Sequence, residues 1–431
     1  MVPRRRFRAV LVGLITTLLG LTGCGTSAPV DPGGREPSSA VSTPPLGPAQ
    51  TAATQQTLDD FVAAARRGDA PAAAALVSIR DQAFANRAAV WAANLGRLDW
   101  RRLTWTARSA RAAVTPERRR HLGAETWVQQ VRMTWSYAGE TRVAEEDVWL
   151  TFAAEPTTGG GSTIRLAGDV DSPASTGPTP LWLQQPVELQ RRGAVLVLIA
   201  PRASTTWLDL AVDADELAEQ RIGAADRDPG GGLVVEVPRS RAAFERVLGV
   251  EPGSYAQVAA AAWPMGPDTS TAAIRVVVNP ESAGRLSELG RRVLLLHEAV
   301  HVATRSPGSP APTWLVEGYA DQIAYDAHPA ARTPAERAVV DHVRAHGVPD
   351  AWPEEKDFAP DAGDLDLTYD LAWTAAHSIA DAYGDRNLNR FYAAVDSGDT
   401  LARAADRIGG TERALRQHWR TDLETLAARH R

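Results

Sequence analysis

The chain has 431 residues, 44% hydrophobic and 23% charged, which is enough apolar material for more than one packed core and excludes a wholly disordered chain. Its formal net charge is −6, and no basic tract or aromatic-plus-basic strand pattern breaks that balance, which argues against nucleic acid as a partner. Cys24 is the single cysteine, so no internal disulfide can form and packing alone must hold the fold.

Residues 1–23 read as an export signal, with Arg4, Arg5, Arg6 and Arg8 ahead of an apolar run, 9–21, that is short for a membrane span. Leu21-Thr22-Gly23-Cys24 resembles the lipobox of bacterial lipoproteins. That resemblance implies that Cys24 becomes the acylated first residue, palmitate being one such acyl group, and anchors the protein on the extracytoplasmic face of the cell membrane. The arginine-rich start leaves both the general secretory and the twin-arginine export routes open. Four arginines and no acidic residue precede Cys24, so cleavage there moves the formal net charge from −6 to −10. Residues 24–54 are dense in Pro, Ser, Thr and Gly and are expected to be a tether that does not pack.

Residues 55–175 form the first expected folded unit. Helices are expected over 58–67, from about 70, and over 82–95, followed only by strands. Trp127, Val131, Met133, Trp135 and Tyr137 space along one strand, and Val148, Leu150 and Phe152 alternate along the next. Alternating aromatics on a sheet read as core. His121 is the only histidine of this stretch and falls in a charged segment expected to be a loop. Helices first and a curved antiparallel sheet afterwards resemble the nuclear-transport-factor-2-like cone. That likeness implies a spacer, a docking surface or a ligand pocket. Turn formers cluster over 171–180 and close the unit.

Residues 186–431 form the second. Strands are expected at 195–199 and 233–237, helices at 208–225 and 240–248, and a β-branched strand at 272–279. The rest is helical. The expected fold class is therefore α+β, with the cone-shaped unit followed by a unit that has an α/β upper part and a helical lower part.

His297-Glu298-Ala299-Val300-His301 carries the chemistry. Residues four apart on a helix share a face, so His297 and His301 can offer two imidazoles to one metal ion. Glu298 lies beside the first of them, where it can take a proton from a water that the metal polarises. The prolines of 306–312 must end that helix, and Thr313 is a candidate cap for the next. On that next helix Glu317 falls one turn in, as a third metal ligand. Asp321 follows one turn later on the same face, where it can accept the free N–H of a ligand histidine.

His-Glu-x-x-His followed by Trp314-Leu315-Val316-Glu317-Gly318-Tyr319-Ala320 resembles the gluzincin peptidases, the thermolysin-like group. The resemblance covers the chain from about residue 195 onward. It implies one zinc ion per chain held by His297, His301 and Glu317, with Glu298 as base and a peptide or protein as substrate. It also implies a tyrosine that stabilises the oxyanion. Tyr369 is the candidate, with a buried anchoring tyrosine as the alternative, and His377 is the second candidate. A metzincin would need a glycine at position 304 and a histidine at 307, where this chain has Thr304 and Pro307. Fifteen residues separate His301 from Glu317, fewer than is usual in thermolysin, so the connection must be tight. No Gly-x-Met-Glu-Asn segment precedes the motif, which disfavours an aminopeptidase and leaves an endopeptidase. The 272–279 strand fits either a substrate-binding sheet edge or a fully buried strand. His328, His342 and His346 are expected to be solvated and receive no role.

A binding lipoprotein with a silent or structural zinc domain is the competing reading. The intact base speaks against it, because a structural zinc needs no Glu298 and is normally closed by four protein ligands. Zinc-dependent hydrolysis of a non-peptide amide or ester is a third. Substrate preference and oligomeric state are not readable from the residues.

Overall fold

The computed structural model describes residues 46–172, 177–223, 231–359 and 364–429. The expected signal, Cys24 and most of the expected tether lie outside these residues.

The first unit opens with α1 (Pro48–Arg66), α2 (Ala70–Ala75) and α3 (Gln82–Arg97), then β1 (Trp100–Ala112), α4 (Pro116–Leu122), β2 (Thr126–Tyr137), β3 (Ala144–Pro156) and β4 (Ser162–Gly168). Two expectations are corrected here. The first helix begins ten residues earlier than the periodic run that predicted it, inside the stretch read as tether. Its start has Pro48 in the first turn, where a missing N–H costs nothing, and runs on through alanine and glutamine. The strands are also not uninterrupted: Thr115 caps α4 through the Arg118 N–H, so His121 stands on a helix rather than a loop.

The four strands pair antiparallel in the order β1-β2-β3-β4. Trp127, Met133 and Trp135 are at most 2% exposed, and the aromatic alternation is indeed core. Between the two units lies α5 (Leu181–Gln184), which is no free linker. Trp182 is fully buried against Trp100, Trp105 and Trp135 at ring distances of 5.4, 6.2 and 5.9 Å. The Asn94 amide donates to the Trp182 and Gln185 carbonyls at 2.7 and 2.8 Å, tying α3 to this plug.

The second unit carries β5 (Glu188–Arg192), β6 (Val195–Ile199), α6 (Thr206–Ile222), β7 (Val234–Glu236), α7 (Arg241–Leu248), β8 (Ala260–Pro264) and β9 (Ile274–Val278). Its sheet is mixed, in the order β5-β6-β7-β9-β8, with β6-β7 and β7-β9 parallel and the two end pairs antiparallel. The 272–279 run is thus the buried strand of its two readings, since β9 lies between β7 and β8 and every residue of it is buried. The sheet ends in β5 on one side and, beyond β9, in β8 on the other, whose alanines gave no strand signal.

Helices complete the chain: α8 (Pro280–Ala283), α9 (Glu288–Thr304), α10 (Thr313–Ala327), α11 (Arg332–His346), α12 (Leu365–Tyr383), α13 (Asp385–Asp396), α14 (Leu401–Arg407) and α15 (Glu412–Arg429). The described residues therefore give a mixed α+β protein with one antiparallel sheet and one mixed sheet. Arg275, on β9, joins the two units. Its guanidinium is fully buried and donates to both carboxylate oxygens of Glu140 in the first unit, at 3.0 and 2.9 Å, and to Glu236 at 2.9 Å. It also lies 4.5 Å over the Tyr137 ring.

Candidate metal centre

Ser287 caps α9 through the Gly290 N–H, and the helix runs apolar into the core over Val293, Leu294, Leu295 and Leu296, all fully buried. This burial carries His297, Glu298 and His301 to 0% exposure. Arg305, in the left-handed conformation, ends the helix, and a single turn of 3-10 helix (Ser306–Gly308) reverses the chain toward α10. The helix α10 is entered at Pro312, not capped by Thr313; the Thr313 hydroxyl instead donates to Glu355 at 2.6 Å.

Gly318 explains how α10 sits so close to α12. A Cβ there would lie 2.1 Å from the Ala372 carbonyl oxygen, so only glycine permits this approach. The neighbouring Glu317 is thereby set against α9. The Nε2 atoms of His297 and His301 stand 2.7 Å apart, and Glu317 Oε2 lies 3.4 and 3.5 Å from them. A point about 0.9 Å off the plane of these three atoms is about 2.1 Å from each, within the usual range of zinc bonds to imidazole and carboxylate.

The donor set fits a metal ion on a second ground. Both Glu317 oxygens are buried without a hydrogen-bond partner, a costly arrangement that a cation between them and the imidazoles would relieve. His297, His301 and Glu317 are the only group of three such donors in mutual reach among the described residues, and they could hold a metal ion. Three protein donors leave a fourth position for water or substrate.

Two outer contacts aim the rings. His297 Nδ1–H donates to Asp321 Oδ1 at 2.7 Å, the role read from the sequence. His301 Nδ1 lies 2.7 Å from Ser306 Oγ, so with Nε2 turned to the metal, Nδ1–H donates to the serine. Ser306 was missed in the sequence, where it is one of several small residues in a proline-rich turn.

Burial and charge divide the protonation states. Burial works against charge on His297, but Asp321 and Glu317 overcome it and hold the imidazolium up to about 10. His301 is pushed below its ordinary value by burial and by the His297 charge. Glu317, against its burial, is held below the ordinary range by both imidazoles. Glu298 is pushed up to about 8, chiefly by burial; the His297 charge opposes this and Glu317 adds to it. Neither of its oxygens has a side-chain hydrogen-bond partner, and the Ala262 backbone of β8 approaches closely enough to favour the charged form.

The remaining expected residues lie as follows. Tyr369 is buried in the second turn of α12, which starts at Leu365 rather than at the tyrosine, and its ring meets Phe358 edge-on at 5.4 Å. His377 is brought to Gln322 and not to the imidazole pair: its Nδ1 is 3.2 Å from Gln322 Oε1, its ring lies over Trp373, and the charges around it are Arg332, Asp381, Asp422 and Glu336. Tyr392, unmarked in the sequence, is buried within electrostatic reach of Glu317, with its hydroxyl 3.4 Å from Thr304 Oγ1. His328 follows the end of α10, and His342 stacks on His346 along α11.

No protein-family model matches the chain, and no curated protein matches it.

Proposed function

We propose that the chain is a zinc endopeptidase that works on a lipid tether at the extracytoplasmic face of the cell membrane, with a gluzincin-like catalytic unit and a cone-like accessory unit. The observation that carries this reading is Glu298. A fully buried carboxylate with no side-chain partner, pushed up to about 8 beside three donors that could hold a metal ion, is poised to accept a proton near neutral pH.

Zinc bound by His297, His301 and Glu317 would supply Lewis acidity to water and to the scissile carbonyl. Glu298 takes the proton of the attacking water and passes it to the leaving amine. Asp321 and Ser306 keep both imidazoles in the tautomer that leaves Nε2 free. Tyr369 is assigned to the oxyanion. In this reading a peptide adds as a further strand along β8, the terminal strand next to Glu298, and not along the 272–279 strand first read as a possible edge. No helix among the described residues is long and apolar enough to cross a membrane. In this reading Cys24 carries the lipid anchor.

The test is a peptide-library digest with zinc-loaded wild type beside Glu298→Gln. Cleavage by the wild type alone, at internal bonds, is the expected result. Identical profiles from the two proteins would discard the peptidase reading in favour of a binding lipoprotein with a silent zinc domain.

A further inference from the structure

A pocket of about 510 Å³ opens where the first unit's β3 meets the end of β8. This is the size of small-ligand sites. No helix of the first unit lines it, so it differs from a pocket between sheet and helices. Tyr255 and Trp263 form part of its wall, their rings perpendicular at 6.4 Å. Glu145, Glu146 and Asp147 line it along the stretch of β3 that β4 leaves unpaired, with Glu145 and Asp147 on the face of the strand that carries Arg132 and Glu146 on the opposite face.

Arg132 is already committed. Its Nη1 meets Glu145 at 2.9 Å, and its Nε and Nη2 meet Asp147 at 2.8 and 2.7 Å. Glu146 has no hydrogen-bond or ion-pair partner among the described residues. Protein crowds it on most sides and it keeps only partial exposure while lining the pocket. Burial first, then Asp147 and Glu145, push its carboxyl up to about 8 against the weaker pull of Arg132. A carboxyl so placed lacks a cation. A bare metal ion does not fit, because these carboxylates do not converge as the His297 cluster does. An aromatic wall beside the acid instead suits an organic cation, whose charge meets Glu146 and whose apolar stem lies against Trp263 and Tyr255.

We propose that this pocket binds an alkylammonium or guanidinium group on an apolar stem, with Glu146 as its counter-ion and Trp263 and Tyr255 as its wall. The site is independent of the zinc reading and stands whether or not the metal centre is hydrolytic. The stem can belong to a free amine or to a lysine or arginine side chain of a peptide.

Isothermal titration of the intact chain with agmatine, 1,5-diaminopentane, acetyl-Gly-Lys-Gly-amide and the matching norleucine peptide tests it. Saturable binding of at least one cationic probe is expected, with none of the norleucine peptide, and affinity about ten-fold or more weaker in Glu146→Gln. Binding of the free amines alone identifies a free amine as the ligand; binding of the lysine peptide as well identifies a side chain. Trp263→Leu, on the partly exposed wall, should weaken the same probes while leaving metal content unchanged. No saturable binding of any cationic probe up to about 20 mM, an affinity scale at which even weak single-group contacts register, overturns the proposal, and so does equal binding by wild type and Glu146→Gln.

Discussion

Replacing Glu298 with glutamine separates chemistry from structure. The folded carboxyl titrates near 8, against 4.5 for the ordinary group, so the folded state favours its neutral form. Its stabilising contribution is therefore fully present below 4.5 and is lost as pH rises through 8. Between pH 5 and pH 8 the linkage relation gives the metal-free wild type a loss of about 3–4 kcal/mol that a neutral glutamine of the same shape does not suffer. The titration of His297 is common to both proteins and largely cancels in the comparison. Denaturant unfolding of the chelated proteins at each pH measures the difference. The variant should match the wild type near pH 5, exceed it at pH 8, bind one metal per chain, and show peptide turnover reduced by about a thousand-fold or more. Parallel stability curves would refute the burial argument. Loss of metal in the variant would refute the assignment of Glu298 as a base outside the ligand set.

Three further outcomes follow from the same geometry. Ser306→Ala removes the acceptor of His301 Nδ1–H and should weaken metal binding about 10- to 100-fold in chelator competition without changing saturation at one ion; unchanged affinity would remove the serine from the site. In the wild type a metal must displace the His297 proton at any pH below about 10, so log affinity should climb about one unit per pH unit across the neutral range. In Asp321→Asn that climb should flatten above the ordinary imidazole range of about 6.5. Gly318→Ala sets a methyl 2.1 Å from the Ala372 carbonyl oxygen, so α10 and α12 must part. Thermal melts with chelator present should show a loss on the order of 2–3 kcal/mol, and metal affinity should fall with it, since Glu317 moves with the helix.

What was legible in the sequence was what depends on spacing. His297 and His301 lie one turn apart on any helix, and Glu317 and Asp321 likewise, so the cluster needed only two helices to face each other. The contacts that make them face each other were hidden. Gly318 reads as one small residue in a motif until Ala372, on another helix, is placed against it. Ser306 looks like any turn residue because its partner ring is fixed by the reversal at Arg305. The edge strand β8 escaped because Ala260, Ala261 and Ala262 have weak strand preference, and only pairing with β9 holds them extended. For the same reason the β-branched run of β9 advertised itself as a strand but not as the interior one.

Arg275 gives the accessory unit a mechanical meaning that composition did not hint at. A buried arginine bound to two carboxylates adds little net stability over apolar packing, yet removing one partner strands a charge at a cost of about 3–5 kcal/mol. Its partner Glu140 stands 135 residues earlier, so the geometry of β9 depends on the first unit being docked. Within its sheet β8 pairs only with β9, and the Glu145 N–H donates to the Met265 carbonyl at 2.7 Å, tying the end of β8 back to β3. The strand whose backbone faces Glu298 is thus held from both directions by a unit that supplies none of the three candidate metal ligands, and this argues that the first unit is part of the frame of the candidate metal centre rather than a detachable spacer.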